Sequence, residues 1–177
     1  MNPFGSLDNQ LAGKQTYSAF CASFTPVATP TDIFSIEGVA GKTLYIWRFY
    51  LSTVQTTAGV NTWFLNKHST ANVDGGSTSV ASAKIPHDAN FAASTATVKH
   101  YTVANPTPGT SLGSVATIRM DSPAPATAGI GGMVEAIIDF SFPIILRGTA
   151  QGLALNFAGA ALPAGLSVVA GFTWTEQ

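Results

Sequence analysis

The residues that could do chemistry are few and widely spaced. Glu135 and Asp139 suggest a carboxylate pair. On a strand rising about 3.3 Å per residue they would stand about 13 Å apart. Glycoside hydrolysis needs carboxyl groups roughly 5 to 9.5 Å apart, so the pair reads as two solvated charges on an outer face. His68, His87 and His100 have no His, Cys or carboxylate at a recurring ligand spacing, whereas zinc sites need three or four converging ligands. His87 and Asp88 are adjacent in a loop, where neighbouring side chains diverge. A Ser–His–Asp triad leaves no mark in local spacing, and no Gly-x-Ser-x-Gly elbow supports one.

Two glycine motifs fail in the same way. Gly41-Lys42-Thr43 resembles the end of a phosphate-binding loop, but Ile36 stands where that loop needs its first glycine. The segment then enters a strand, while phosphate loops open a helix. Gly129, Gly131 and Gly132 miss the dinucleotide spacing and also precede a strand. Cys21 is the single cysteine, so no intrachain disulfide forms; its apolar alternation marks it as a small packed hydrophobe. The pattern predicts no catalytic residue, no cofactor and no metal, and the chain reads as a non-enzyme.

Composition narrows the partners. Of 177 residues, 46% are hydrophobic and only 10% are Asp, Glu, Lys or Arg, against about 25% charged in ordinary domains. Such a surface carries few ions to strip of water and suits lasting contact with other subunits. Lys14, Lys42, Arg48, Lys67, Lys84, Lys99, Arg119 and Arg147 are scattered and the net charge is −1. Nucleic-acid binding rests on clustered cations, so no specific nucleic acid is expected. No apolar run is long enough to span a bilayer, and residues 1–13 lack the layout of a signal peptide. No membrane is therefore expected as partner, and synthesis in a cytoplasm is.

The elements that must position these residues are strands. Thr43 to Val54 alternates Tyr45, Trp47, Phe49 and Leu51 against Leu44, Ile46, Arg48 and Tyr50, which predicts a central strand. Thr56 to Gly59 reads as a turn, and Val60 to Lys67 as its partner strand in a hairpin. Val134, Ala136, Ile138, Phe140 and Phe142 share one face of Met133 to Phe142. Leu166, Val168, Ala170, Phe172 and Trp174 share one face of the last strand. Thr97 to Val103, Ser114 to Met120, Pro143 to Leu146 and Leu153 to Phe157 add shorter strands. Ala92 to Thr95 could form a helical turn, and Ser122 to Gly132 reads as an exposed mobile loop. The predicted core is Trp47, Phe49, Trp63, Ile138, Phe140 and Phe172.

About eight short strands split by Gly/Pro loops predict an all-β, two-sheet antiparallel sandwich. The long connections near Asn105 and Ala124 favour the jelly-roll type over an immunoglobulin-like one, whose Cys…Trp…Cys signature is absent. Residues 1–15 read as an extended N-terminal arm and residues 16–177 as one domain. Phe4 and Leu11 are the arm's apolar anchors, which make it a candidate partner-contact segment ordered on a neighbouring subunit.

Several stretches carry a family resemblance. They are Ser23-Phe24-Thr25-Pro26-Val27-Ala28-Thr29-Pro30-Thr31-Asp32, Leu51-Ser52-Thr53-Val54-Gln55-Thr56-Thr57-Ala58-Gly59, Lys67-His68-Ser69-Thr70, Leu146-Arg147-Gly148-Thr149-Ala150-Gln151 and Phe172-Thr173-Trp174-Thr175-Glu176. In them the chain resembles small β-sandwich proteins encoded among the virion genes of tailed phages and prophages. The resemblance covers scaffold and turns and transfers no functional residue. It implies a structural virion component, foremost a capsid cement or decoration protein. Its partners would be a major capsid protein and further copies of itself, a trimer ranking ahead of a dimer. The alternative is a carbohydrate- or receptor-binding module of a head fibre, tail or baseplate.

Overall fold

A computed structural model describes residues 14–74, 79–122 and 132–177. Phe4 and Leu11 lie outside the described residues, as does most of the loop expected from Ser122 to Gly132. The expected arm extends to Gln15, but Gln15 already pairs with Glu176 and opens the first strand. The strands run β1 Gln15–Phe20, β2 Asp32–Glu37, β3 Thr43–Gln55, β4 Gly59–His68, β5 Ser79–Ala81, β6 Lys84–Pro86, β7 Thr97–Tyr101, β8 Ser111–Ser122, β9 Gly132–Arg147, β10 Gly152–Asn156 and β11 Ser167–Glu176. No helix occurs among the described residues, and the turn expected at Ala92 to Thr95 is irregular chain.

The strands form two antiparallel sheets, β6-β1-β11-β3-β9 and β5-β7-β2-β10-β4-β8. Without β5, β6 and β7, the remaining eight strands numbered along the chain read 1-8-3-6 facing 2-7-4-5. That is the order of two interlocked Greek keys, a jelly roll. The other three strands form an insertion between β4 and β8. It lengthens both sheets on the same side, β6 beside β1 and β5-β7 beside β2.

This topology corrects the expected hairpin. β3 and β4 are joined by a short turn yet lie in opposite sheets. The turn is a corner, and side chains rather than a ladder satisfy it. Buried Gln55 donates its Nε2 to Thr57 O at 2.8 Å and accepts from Asn61 Nδ2 at 2.6 Å. Thr56 donates through its backbone N and its hydroxyl to Ala164 O. A turn signal fixes reversal of the chain, and pairing is decided elsewhere.

The core lies between the sheets. Phe34 of β2 stacks on Phe172 of β11 at 5.0 Å between centroids, and Phe172 meets Phe49 of β3 at 5.2 Å. Trp63 packs on Phe157 at 4.5 Å. Leu166, Val168, Ala170, Phe172 and Trp174 are all buried, as their alternation predicts.

β3 departs from alternation. Its pairing with β11 slips between Arg48↔Thr173 and Ile46↔Trp174, which leaves Trp47 as an extra residue. Its pairing with β9 slips at the same place, where residues 140–143 oppose Trp47 alone. Leu44 and Ile46 are buried before the bulge, and Phe49 and Leu51 after it. Tyr45 therefore does not share a face with Phe49. Trp47 is itself buried and donates Nε1 to Thr175 Oγ1 at 3.1 Å. The bulge also overturns the expected inward place of Phe142, which is 86% exposed. Ile138 and Phe140 pack on the core but are only half-buried.

Phe172→Ala should cost about 3–5 kcal/mol in denaturant unfolding, while Phe142→Ala should stay within about 0.5 kcal/mol. Equal costs at the two positions would refute this assignment of faces.

Candidate functional site

Three polar clusters lie within the sandwich. In the first, Asp32 opens β2, Asn156 closes β10, His68 closes β4 and Asn72 follows it; all four are buried. Asn156 Nδ2 and Asn72 Nδ2 donate to Asp32 at 2.6 and 2.9 Å. His68 Nδ1 lies 3.1 Å from Asn72 Oδ1 and 3.5 Å from Asp32 Oδ2. The amide orientations are set by backbone donors, Gly109 N to Asn72 Oδ1 and Ala158 N to Asn156 Oδ1. Both amides thus turn their NH₂ groups to the carboxylate, which suits a hydrogen-bonded anion and not a cation. The cluster joins three strands and three loops, and its four side chains are shielded from solvent.

The second cluster centres on Glu176. Its carboxylate accepts from Lys42 Nζ at 2.8 Å, from Trp174 Nε1 at 3.2 Å and from Ser94 Oγ. Burial pushes this carboxyl up, but the bonds from Lys42, Ser94 and Trp174 outweigh it and hold Glu176 below the usual carboxylate range. Lys42 is thereby a turn residue that fastens the β2–β3 connection to β11. The third cluster surrounds Lys99, whose Nζ lies 2.8 Å from Asp74 Oδ1 and 3.2 Å from Glu37 Oε1. Asp74 also accepts from Ser79 Oγ and Tyr101 OH. Burial opposes the Lys99 charge, yet these carboxylates raise its pKa above that of free lysine.

The histidines named from the sequence are scattered. His68 belongs to the Asp32 cluster. His100 packs at a tilt against Phe24, 4.7 Å between centroids, and burial lowers its pKa. His87 Nε2 meets Ser18 Oγ at 2.8 Å, a nucleophile–base pairing by residue type. Ser18 is also bonded to Thr173 Oγ1, and Asp88 turns to Asn90 instead of His87. Among the described residues no three metal-binding groups converge. Burial pushes the Cys21 thiol up to about 11, which keeps it protonated.

The outer face of the β1-β11-β3-β9 sheet presents a built surface that alternation alone does not reveal. Phe20, Gly171, Tyr50 and Ile137 are consecutive Cα partners across four strands. Phe20 is 50% and Ile137 57% exposed. The Phe20 ring meets Tyr50 edge-on at 5.8 Å and lies over Gly171. A Cβ at Gly171 would come within 2.3 Å of that ring, so glycine is required for the aromatic to lie flat across the strand. On one side of this apolar row lies a polar row, Ser18, Thr173, Arg48 and Asp139. Arg48 holds Asp139 by two hydrogen bonds, and that pairing lowers the carboxyl's pKa. On the other side Glu135 accepts from Tyr50 OH at 2.6 Å. Glu135 and Asp139 are thus both exposed and separately engaged.

No family model, curated protein or solved structure matches the chain. No helix among the described residues is long and apolar enough to cross a membrane.

The Glu176 cluster gives a pH test. A carboxyl with a folded pKa below its unfolded value, about 4.3 for Glu, adds stability that is present above that value. The contribution is lost as pH falls through the folded pKa. Wild type should therefore exceed Glu176→Gln in stability at neutral pH, and the gap should close as the pH drops below about 4. A gap that stays constant on acidification would contradict the assignment.

Proposed function

We propose that this chain is a non-enzymatic structural protein of a tailed-phage particle, a capsid cement or decoration protein that works by subunit contact. The observation that carries the reading is the apolar row of Phe20, Tyr50 and Ile137 on the outer sheet face. An apolar strip bordered by polar groups has the anatomy of a protein contact surface, with a dry centre and a wet rim. The jelly roll supplies a rigid platform for it, and the low charge of the chain lowers the cost of covering its surface. The phage assignment itself rests on the resemblance in the strand and turn sequences. The partners proposed are a major capsid protein and other copies of this chain, and the place of action is the virion.

The test is co-sedimentation of purified protein with shells of the encoding phage or prophage, together with analytical ultracentrifugation of the free protein. Ile137→Asp places a charge at the β9 end of the row while leaving the core intact. It should reduce shell binding by roughly tenfold, the scale of one lost apolar contact with a buried charge in its place, with an unchanged melting temperature. Shell binding equal to wild type would refute this face as the contact surface, and absence of shell binding by wild type would refute the decoration role.

A further inference from the structure

Four strands close the ends of the two sheets, β6 and β9 in one and β5 and β8 in the other. An edge strand presents a row of backbone N–H and C=O groups without ladder partners, a template for another strand. Three of these edges are blunted. β5 and β6 are three residues each, and β6 ends on Pro86, which has no N–H to give. β9 is interrupted opposite Trp47 and carries Pro143 there. Before the interruption its charged residues, Glu135 and Asp139, share one sign and are engaged by Tyr50 and Arg48.

β8 differs. From Ala116 to Ser122 it follows β4 from Leu65 to Gly59 without a register shift. Among the described residues no strand covers its other side. Ile118 and Met120 turn into the core and are buried, while Thr117, Arg119 and Asp121 are exposed on the outer face. Arg119 and Asp121 are charges of opposite sign two positions apart, in a chain where only 10% of residues are charged. On β4 they stand opposite Thr62 and Val60, so the neighbouring strand offers no counter-charge. Among the described residues neither forms an ion pair.

The spacing of these two charges is self-complementary. When two copies of a strand pair antiparallel about a two-fold axis, the residue on the axis meets its own copy. Residues equally far on either side of it meet each other. An axis at Arg119 sets guanidinium against guanidinium, and an axis at Asp121 sets carboxylate against carboxylate. Like charges directly opposite destabilise a strand pair. An axis at Ile118 leaves both charges without a counter-charge. An axis at Met120 sets Arg119 against Asp121 of the second copy and Asp121 against its Arg119, two attractive pairs at once. In that register exposed residues meet exposed residues, so the outer face of one sheet continues into the other.

We propose that two copies of this chain join through β8, antiparallel about a two-fold axis at Met120, with Arg119 and Asp121 exchanged as ion pairs. The six-stranded sheet of each copy then runs on into that of the other. The contact joins copies in pairs and not in the threes that the family resemblance implies. It deepens the copy-to-copy part of the assembly role, yet it rests on the β8 edge and not on the Phe20–Tyr50–Ile137 row. A dimer that forms while shells go unbound sinks the decoration role alone.

The experiment is sedimentation equilibrium of the full chain and its charge variants. Wild type should pass from the 18.3 kDa monomer to twice that mass at concentrations below about 1 mM. Arg119→Asp or Asp121→Arg alone turns both attractive pairs repulsive and should weaken the dimer about tenfold or more. The melting temperature should not change, because both side chains are exposed. Mixed in equal amounts, the two variants present opposite charges to each other and should form a heterodimer about as tight as the wild-type dimer. The double variant carrying both changes should also dimerise as wild type does. If a reversed variant fails to fold, Arg119→Gln takes its place and should weaken the dimer roughly threefold. The proposal is overturned by a wild type that is monomeric at about 1 mM, by a trimer in place of the dimer, by charge variants that associate as wild type does, or by a mixture that stays monomeric.

Discussion

The fold depends on one residue too many in one strand. β3 is paired on both sides, to β11 and to β9, and both ladders slip at Trp47. A bulge lets a strand change which of its faces meets the core. Here Leu44 and Ile46 enter the core on one phase and Phe49 and Leu51 on the other. Trp47, the residue at the change, is not wasted: it is buried and its Nε1 bonds Thr175. Without the slip, one half of β3 would put its large apolar side chains into water and Arg48 and Tyr50 between the sheets. The bulge therefore permits a 13-residue strand to serve a single core along its length.

The same slip shapes the exposed surface. It sets Arg48 opposite Asp139 and Tyr50 opposite Ile137, which aligns the outer apolar row across four strands. On the edge strand β9 it leaves residues 140–143 facing a single residue, and Phe142 projects. Irregular edges hinder indiscriminate strand addition, so face contact through the row is the more selective mode of association. The proposed assembly role thus draws on a surface whose register is set in the middle of the sheet.

How much of this was legible depended on whether the information was local. β11 keeps strict alternation, and every inward residue from Leu166 to Trp174 was readable. β3 was readable as a strand but not in its facing, because Trp47 is apolar and fits either phase. The β3–β4 hairpin failed for a related reason: Thr56 to Gly59 marks a reversal, while the partner choice depends on β10 and β11, more than ninety positions later. The Asp32–Asn72–Asn156–His68 cluster spans similar separations and shows no spacing in the sequence. Gly171 carries no signal of its own in the sequence; its purpose appears when Phe20 lies across it.

The register change at Trp47 is open to a direct measurement: thiol labelling of single cysteines placed in turn at positions 44, 46, 48, 49, 50 and 51. Cys21 can stay, because it is buried and its thiol is pushed up to about 11. Under native conditions positions 48 and 50 should label readily, and 44, 46, 49 and 51 slowly. If 44 and 46 label as fast as 48 and 50, the strand alternates without interruption and the account of the fold around Trp47 is contradicted.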